Sequence, residues 1–114
     1  MDAARRRDLI RAHKEKKVRA GAFAIRCAAS QEAWVSPSAN LDAQRNGLWF
    51  SLRLGGHPNS ALQAAWRTHG EAAFSFEILE VLDDEDMTPL GRTDALKALA
   101  SAWRARLNAR PAFG

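Results

Sequence analysis

Three short apolar stretches predict three β-strands, and the first and third of them alternate apolar and polar residues with a period of two. The first covers residues 22–27, a short second one carries Trp34 and Val35, and the third covers residues 74–82. Only the small polar stretch 28–32 separates the first two, so they predict a hairpin. Pro37 is expected to end the second strand, because proline lacks the N–H that a paired strand needs.

Apolar residues recur at helical spacing in residues 40–54, 59–69 and 93–107, which predicts three helices. Asn40 is a suitable N-cap for the first of them. Gly47 lies inside that helix, where glycine costs roughly 1 kcal/mol relative to alanine. The chain is therefore expected to form a small α/β (α+β) domain, with a three-stranded antiparallel sheet flanked by helices.

An extra helix is predicted at the N-terminus, over residues 2–17, where Leu9, Ile10 and His13 share one face. This apolar stripe is narrow, so the helix is expected to dock only partly on the domain. The predicted organisation is an N-terminal arm (1–20), a domain (21–108) and a tail (109–114) whose end is expected to fray.

The positive charge of the chain is concentrated in that arm. Residues 1–20 hold eight basic and three acidic side chains, a net charge of +5, whereas the remaining 94 residues have a net charge of −1. Basic arms often contact nucleic acid phosphates. The alternative is a first helix whose charges are simply solvated.

The composition is typical of one globular domain of 114 residues. A lone cysteine, Cys27, excludes a disulfide framework within the chain and fits a reducing compartment. No run of 18 apolar residues is present, so no membrane span is predicted. The N-terminal arginines are not followed by an apolar segment, so a secretory signal is not expected. A cytoplasmic protein is the simplest interpretation.

The predicted strands and helices carry an ordered set of short motifs: Gly21-Ala22-Phe23, Trp34-Val35-Ser36, Ser38, Asn40-Leu41, His57, Asn59, Leu62-Gln63, Trp66, His69-Gly70 and Phe74-Ser75-Phe76-Glu77. In this order they resemble the motifs of the GIY-YIG nuclease family over residues 20–107. The resemblance implies an endonuclease fold. It also implies a site where a Tyr and an Arg surround the scissile phosphate and a Glu holds one divalent cation.

Both motif tyrosines are replaced in this chain, by Phe23 and Trp34, and the sequence contains no Tyr. A general base must carry a proton, which neither ring does usefully. The position of the motif Arg is Gln44, with Arg45 one residue later. That offset turns a helical side chain by about 100°, so Arg45 is not expected to replace the motif residue directly.

The motif Glu lies three residues before an aromatic residue on the last helix of the family. If Trp103 is that aromatic, the position is Ala100. Asp94, the nearest upstream carboxylate on the helix, lies about 240° away around its axis. A degenerate active site is therefore expected.

The first functional hypothesis is a GIY-YIG-like protein that binds nucleic acid, more readily DNA, with weak or absent cleavage. Phe23 and Trp34 would line the former cleft; the alternative places both rings in the core. The expected contacts to nucleic acid are Arg26, Arg45, Arg53, His57, Asn59, Lys14, Lys16 and Lys17. No metal site or cofactor is predicted for this inactive form.

The second hypothesis is an active variant endonuclease, a metal-dependent hydrolase. Arg45 or Arg53 would then hold the phosphate, and His57 or a metal-bound water would replace the Tyr as base. Mg²⁺ or Mn²⁺ would need a carboxylate from Glu32, Glu77 or Asp94, and no spacing in the sequence assembles these residues.

The third hypothesis is a protein-interaction module on the nuclease scaffold. Four Trp residues allow it, because Trp is favoured at interfaces. The sequence alone decides neither the oligomeric state nor any recognition sequence.

Overall fold

The computed structural model of the protein describes residues 18–113; the predicted N-terminal helix, with Lys14, Lys16 and Lys17, lies outside this range. The chain forms, in order, β1 (Gly21–Cys27), β2 (Ala33–Ser38), α1 (Leu41–Leu54), α2 (Ser60–His69), a 3-10 turn (Glu71–Ala73), β3 (Phe74–Val81) and α3 (Pro89–Leu107). Within the range that is described, no helix is long and apolar enough to cross a lipid bilayer.

The three strands form one antiparallel sheet in the order β2-β1-β3, with β1 in the centre. Ile25 of β1 lies opposite Trp34 of β2 and opposite Phe76 of β3. Side chains of paired residues point to the same face of a sheet, so these three share one face. The predicted three-stranded antiparallel sheet flanked by helices is confirmed.

The predicted hairpin joins β1 and β2, but the expected end of β2 at Pro37 is wrong. The strand continues through Pro37, which lies opposite Ala22. β2 is an edge strand, and the N–H of Val35, two residues earlier, points outward to the carbonyl of Arg110 at 2.7 Å. The nitrogen of Pro37 has the same outward orientation, so the missing N–H removes no bond to β1.

One face of the sheet packs against α1 and α2 and forms the main core. Its centre is a set of aromatic rings in contact across the elements. Trp49 of α1 meets Trp66 of α2 edge-on at 5.5 Å between centroids, and Phe23 of β1 stacks on Phe76 of β3 at 5.1 Å. Such pairs stabilise a core by about 0.5–1.5 kcal/mol beyond their buried area.

The opposite face is covered by α3, which buries Leu96 and Ala100. The helix was expected to begin at residue 93 and begins instead at Pro89. Thr88 caps it by accepting a hydrogen bond from the Gly91 N–H, and Pro89 occupies the first helical position, where its missing N–H has no cost.

The start of α1 agrees with the sequence prediction: the Asn40 side chain accepts a hydrogen bond from the Ala43 N–H. Gly55, with φ of 76°, ends the helix in the left-handed conformation that glycine adopts without strain. Gly47 lies inside the helix and is exposed, and its helix-propensity cost of roughly 1 kcal/mol is not offset by a close contact within residues 18–113.

The end of the chain was expected to fray from Pro111 onwards, and this expectation is wrong for residues 111–113. Arg110 forms a parallel bridge with Trp34 at the outer edge of β2. Ala112 is fully buried, and its N–H donates to the Ser36 hydroxyl at 2.7 Å. Because this segment has no period-two or helical pattern, its docking depends on contacts with residues far away in sequence.

Candidate functional site

The two motif aromatic residues lie in the core. Phe23 and Trp34 are both 0% exposed, on the face of the sheet that packs against α1 and α2, and Trp34 stacks on Phe74 at 6.3 Å between ring centroids. The indole Nε1–H of Trp34 has no hydrogen-bond partner within the described part of the chain. Neither ring lines an open cleft, so the structure agrees with the core interpretation of both residues and not with the cleft-lining one.

The position of the motif Arg is occupied by a neutral hydrogen-bond pair. The Ser38 hydroxyl donates to the side-chain carbonyl of Gln44 at 2.8 Å and accepts from the Asn40 N–H at 3.1 Å. The buried Ser38 therefore connects the end of β2 to the first turn of α1. This pair offers polar contacts but no positive charge for a phosphate.

Arg45, the neighbouring residue, points in a different direction. Its guanidinium lies over the Trp49 ring, 5.5 Å from the centroid, on the exposed side of α1. This cation–π contact follows from the spacing of four residues on a helix. Arg45 is thus available to an external anion, but it does not lie at the position of Gln44.

Ala100, the position that the resemblance assigns to the motif Glu if Trp103 is the motif aromatic, cannot hold a cation. Ala100 is 0% exposed between α3 and the sheet, and its methyl group supplies no ligand atom. Asp94 lies on the exposed surface of the same helix. Within residues 18–113 no group of three or more His, Cys, Asp or Glu side chains is placed to hold a metal ion. The residues present therefore do not fit the Mg²⁺ or Mn²⁺ that an active member would use.

His57, the alternative general base, serves the packing of the tail. Its ring is buried, with Nε2–H donating to the Ala112 carbonyl at 2.9 Å and Nδ1 3.3 Å from the Ser51 hydroxyl. The Phe113 ring covers it at 5.0 Å between centroids. Both ring nitrogens contact protein atoms, so His57 is not placed to take a proton from a water.

The Asn59 side chain is also used within the fold. Its carbonyl oxygen accepts from the Leu62 N–H as the N-cap of α2, and its amide donates to the Pro111 carbonyl at 2.9 Å. Asn59 joins α2 to the tail, which leaves one of its amide hydrogens for an external ligand.

Two of the predicted phosphate contacts are paired with carboxylates. Arg26 contacts Glu77 at 2.9 Å, and Arg53 holds both oxygens of Glu71 at 2.7 and 2.8 Å. The bidentate bond from Arg53 lowers the pKa of the Glu71 carboxyl and raises the pKa of the Arg53 guanidinium. Arg26 and Arg53 therefore present less net charge to a nucleic acid than the sequence suggested.

The sequence analysis missed the residues that close the edge of β2. The Arg110 guanidinium lies 5.4 Å from the centroid of the Trp34 ring and pairs with Glu32. Arg104 donates to the Val35 carbonyl at 3.0 Å. The available signal was the excess of arginine in residues 104–110, which does not indicate which element these side chains contact.

Two groups of basic side chains are found in residues 18–113. Those in ion pairs are Arg19, Arg26, Arg53, Arg92 and Arg110. Exposed basic side chains outside these pairs are Arg45, Arg67, Lys97 and Arg106. The structure does not bring the predicted set Phe23, Trp34, Arg45 and His57 together around one cleft.

A three-stranded antiparallel sheet with two helices on one face and a long helix on the other is the architecture of a GIY-YIG catalytic domain. Among solved structures, the chain is similar to a mutant of the catalytic domain of intron endonuclease I-TevI, with a TM-score of 0.66 and 22% identity. That match covers 79% of this chain and 84% of the other. A second structure, the catalytic domain of homing endonuclease I-TevI, gives a TM-score of 0.65 and 21% identity over 78% of this chain and 88% of the other.

At this identity the similarity shows the fold, and it confirms the resemblance found in the sequence at that level. No protein-family model matches the chain, and no curated protein sequence matches it.

Proposed function

We propose that the protein binds nucleic acid, with DNA as the preferred form, and that it cleaves phosphodiester bonds weakly or not at all. The observation on which this depends is the burial of Ala100 and Trp34 at the positions of the motif Glu and the second motif Tyr. A methyl group and an unpaired indole supply neither a metal ligand nor a proton carrier. Gln44 supplies no charge at the third position.

The nuclease fold and the charge of the arm support the binding half of the proposal. The similar structures are catalytic domains of an intron and homing endonuclease. Residues 1–20 have a net charge of +5. A segment of this charge attracts phosphates whatever the sequence of the nucleic acid.

The active-variant alternative is less well supported. It needs a cation, and its three candidate ligands are dispersed: Glu32 pairs with Arg110, Glu77 pairs with Arg26, and Asp94 is exposed on α3. The interaction-module alternative is favoured by one observation, an exposed apolar stripe on α1 that includes Phe50 and Leu54.

Binding is tested by fluorescence anisotropy of a labelled DNA duplex over a series of salt concentrations. The triple variant Lys14→Gln/Lys16→Gln/Lys17→Gln is expected to weaken binding. It should also reduce the slope of log affinity against log salt by about 0.9 for each phosphate contact removed. Arg26→Gln is the matched control: its charge is already paired with Glu77, so a smaller effect is expected. Equal affinity of the triple variant and the wild type would contradict a role for the arm.

A further inference from the structure

The outward face of α1 carries a continuous apolar stripe. Residues 43, 47, 50 and 54 follow one another at steps of three and four, on the side opposite to the buried Leu41, Leu48 and Leu52. Phe50 is 62% exposed and Leu54 is 69% exposed. A helix that is apolar on two opposite faces is normally covered on both.

Gly47 lies in the middle of this stripe and has no role in the monomer. A Cβ atom placed there would meet no atom of residues 18–113 within 4 Å, and the backbone is ordinary helix. A glycine inside a helix costs roughly 1 kcal/mol relative to alanine, and no turn requires it at this position. Together with Ala43 one turn earlier, it makes a flat surface that a second helix can approach closely.

We propose that this stripe is the contact surface of a homodimer, formed by two copies of α1 that cross in antiparallel orientation. A two-fold axis level with residues 47 and 48 places Phe50 of one copy over the flat surface formed by Ala43 and Gly47 of the other. The same axis places Leu54 of one copy beside Ala43 of the other. Large side chains thus fill the space that the small ones leave open.

The charges along the edge of α1 fit the same arrangement. Asp42 and Arg53 lie within about 20° of each other around the helix, but about 16 Å apart along it, so they do not meet within one chain. In the antiparallel pair, the axis that seats Phe50 also places Asp42 of one copy beside Arg53 of the other. Within its own chain, Asp42 is paired with Arg19 and Arg53 is paired with Glu71. The interface therefore gains a row of alternating charges formed by these two pairs.

The net charge of the domain and the length of α1 indicate how strong this dimer is. The chain after residue 17 holds ten basic and ten acidic side chains, so net charge does not oppose association of two domains. A helix of 14 residues is about 21 Å long, and one such pair buries less than the roughly 1,600 Å² of a standard interface. The dimer is therefore weak and depends on protein concentration.

Sedimentation equilibrium of the full-length protein over a range of concentrations is the primary test. The expected result is a mass that rises from 12.6 kDa towards twice that value. Leu54→Ser is expected to hold the mass at the monomer value. Leu90→Ser is the matched control, because Leu90 is an equally exposed leucine on α3, at 73%, and its loss should leave the rise unchanged.

Charge reversal tests the antiparallel geometry. Asp42→Arg and Arg53→Asp are each expected to weaken the dimer, and the double variant is expected to recover it. The double variant leaves both in-chain pairs mismatched, so recovery reports a contact between copies. Gly47→Leu should abolish the dimer while circular dichroism shows a helical, folded monomer.

A monomer at every concentration would overturn the proposal. A dimer that survives Leu54→Ser, Gly47→Leu and both single charge reversals would overturn it equally, since association would then use another surface. Neither result depends on whether the protein binds or cleaves DNA.

Discussion

At the residue scale, the positions that the sequence resemblance assigns to a nuclease site hold groups that pack within the fold. Phe23 and Trp34 retain aromatic rings in the core, Gln44 retains a polar contact, and Ala100 retains close packing of α3 on the sheet. These four residues could be read directly from the sequence once the resemblance had assigned the motif positions. It did not predict that His57 is turned to the tail, because nothing local links His57 to Ala112.

Ala100→Glu tests whether the motif Glu position tolerates a carboxylate. Ala100 is 0% exposed, so a charged side chain there is expected to lower the free energy of unfolding by about 2 kcal/mol or more. Ala98→Glu, on the exposed side of the same helix, is the matched control and should change stability little. Urea denaturation measures both. An Ala100→Glu protein as stable as the control would show that the position opens to solvent.

Arg53→Gln tests the ion pair that binds Glu71. The pKa of the Glu71 carboxyl is held below its ordinary value of 4.5 chiefly by hydrogen bonds from Arg53, so the substitution is expected to raise it towards 4.5. A carboxyl with a lowered folded-state pKa stabilises the fold at higher pH and loses that effect as pH falls through the folded-state value. NMR titration gives the pKa. An unchanged pKa in the variant would show that the pair does not persist in solution.

At the element scale, the strands and helices were predictable and the connections between them were less so. β1 and β3 follow the period of two in the sequence, β2 follows a short apolar run after a polar spacer, and α1 and α2 begin at capping asparagines. The extension of β2 through Pro37 required knowledge that β2 is an edge strand. The docking of residues 109–113 could not be predicted, because its bonds reach residues more than 50 positions away.

Asn59→Ala tests how α2 and the tail are joined. The variant loses the N-cap of α2 and the hydrogen bond to Pro111, and its free energy of unfolding is expected to fall by about 1–2 kcal/mol. Amide hydrogen exchange should accelerate at Val35, whose N–H donates to the Arg110 carbonyl, and at Ala112, whose N–H donates to the Ser36 hydroxyl. Asn46→Ala, at an exposed asparagine of α1, is the control. Equal stabilities would show that the Asn59 contacts contribute nothing.

At the scale of the whole molecule, the similarity to known structures extends to the fold. The sheet and helices match endonuclease catalytic domains at a TM-score of 0.66, whereas the positions that the sequence resemblance assigns to the hydroxyl, guanidinium and carboxylate groups hold other residues. The positive charge belongs to the arm, and the domain that follows is close to neutral. Sequence predicted this division of charge. The ion pairs that neutralise Arg26 and Arg53 depend on tertiary structure and were not predictable.

The most direct test of the loss of cleavage is incubation of the full-length protein with supercoiled plasmid and Mg²⁺ or Mn²⁺, at a concentration where anisotropy shows the DNA to be bound. The account predicts bound plasmid that stays supercoiled, in the wild type and in Arg45→Ala alike. Metal-dependent nicking by the wild type that is abolished in Arg45→Ala would contradict it, because a working site would then exist beside the positions that Phe23, Trp34, Gln44 and Ala100 now occupy.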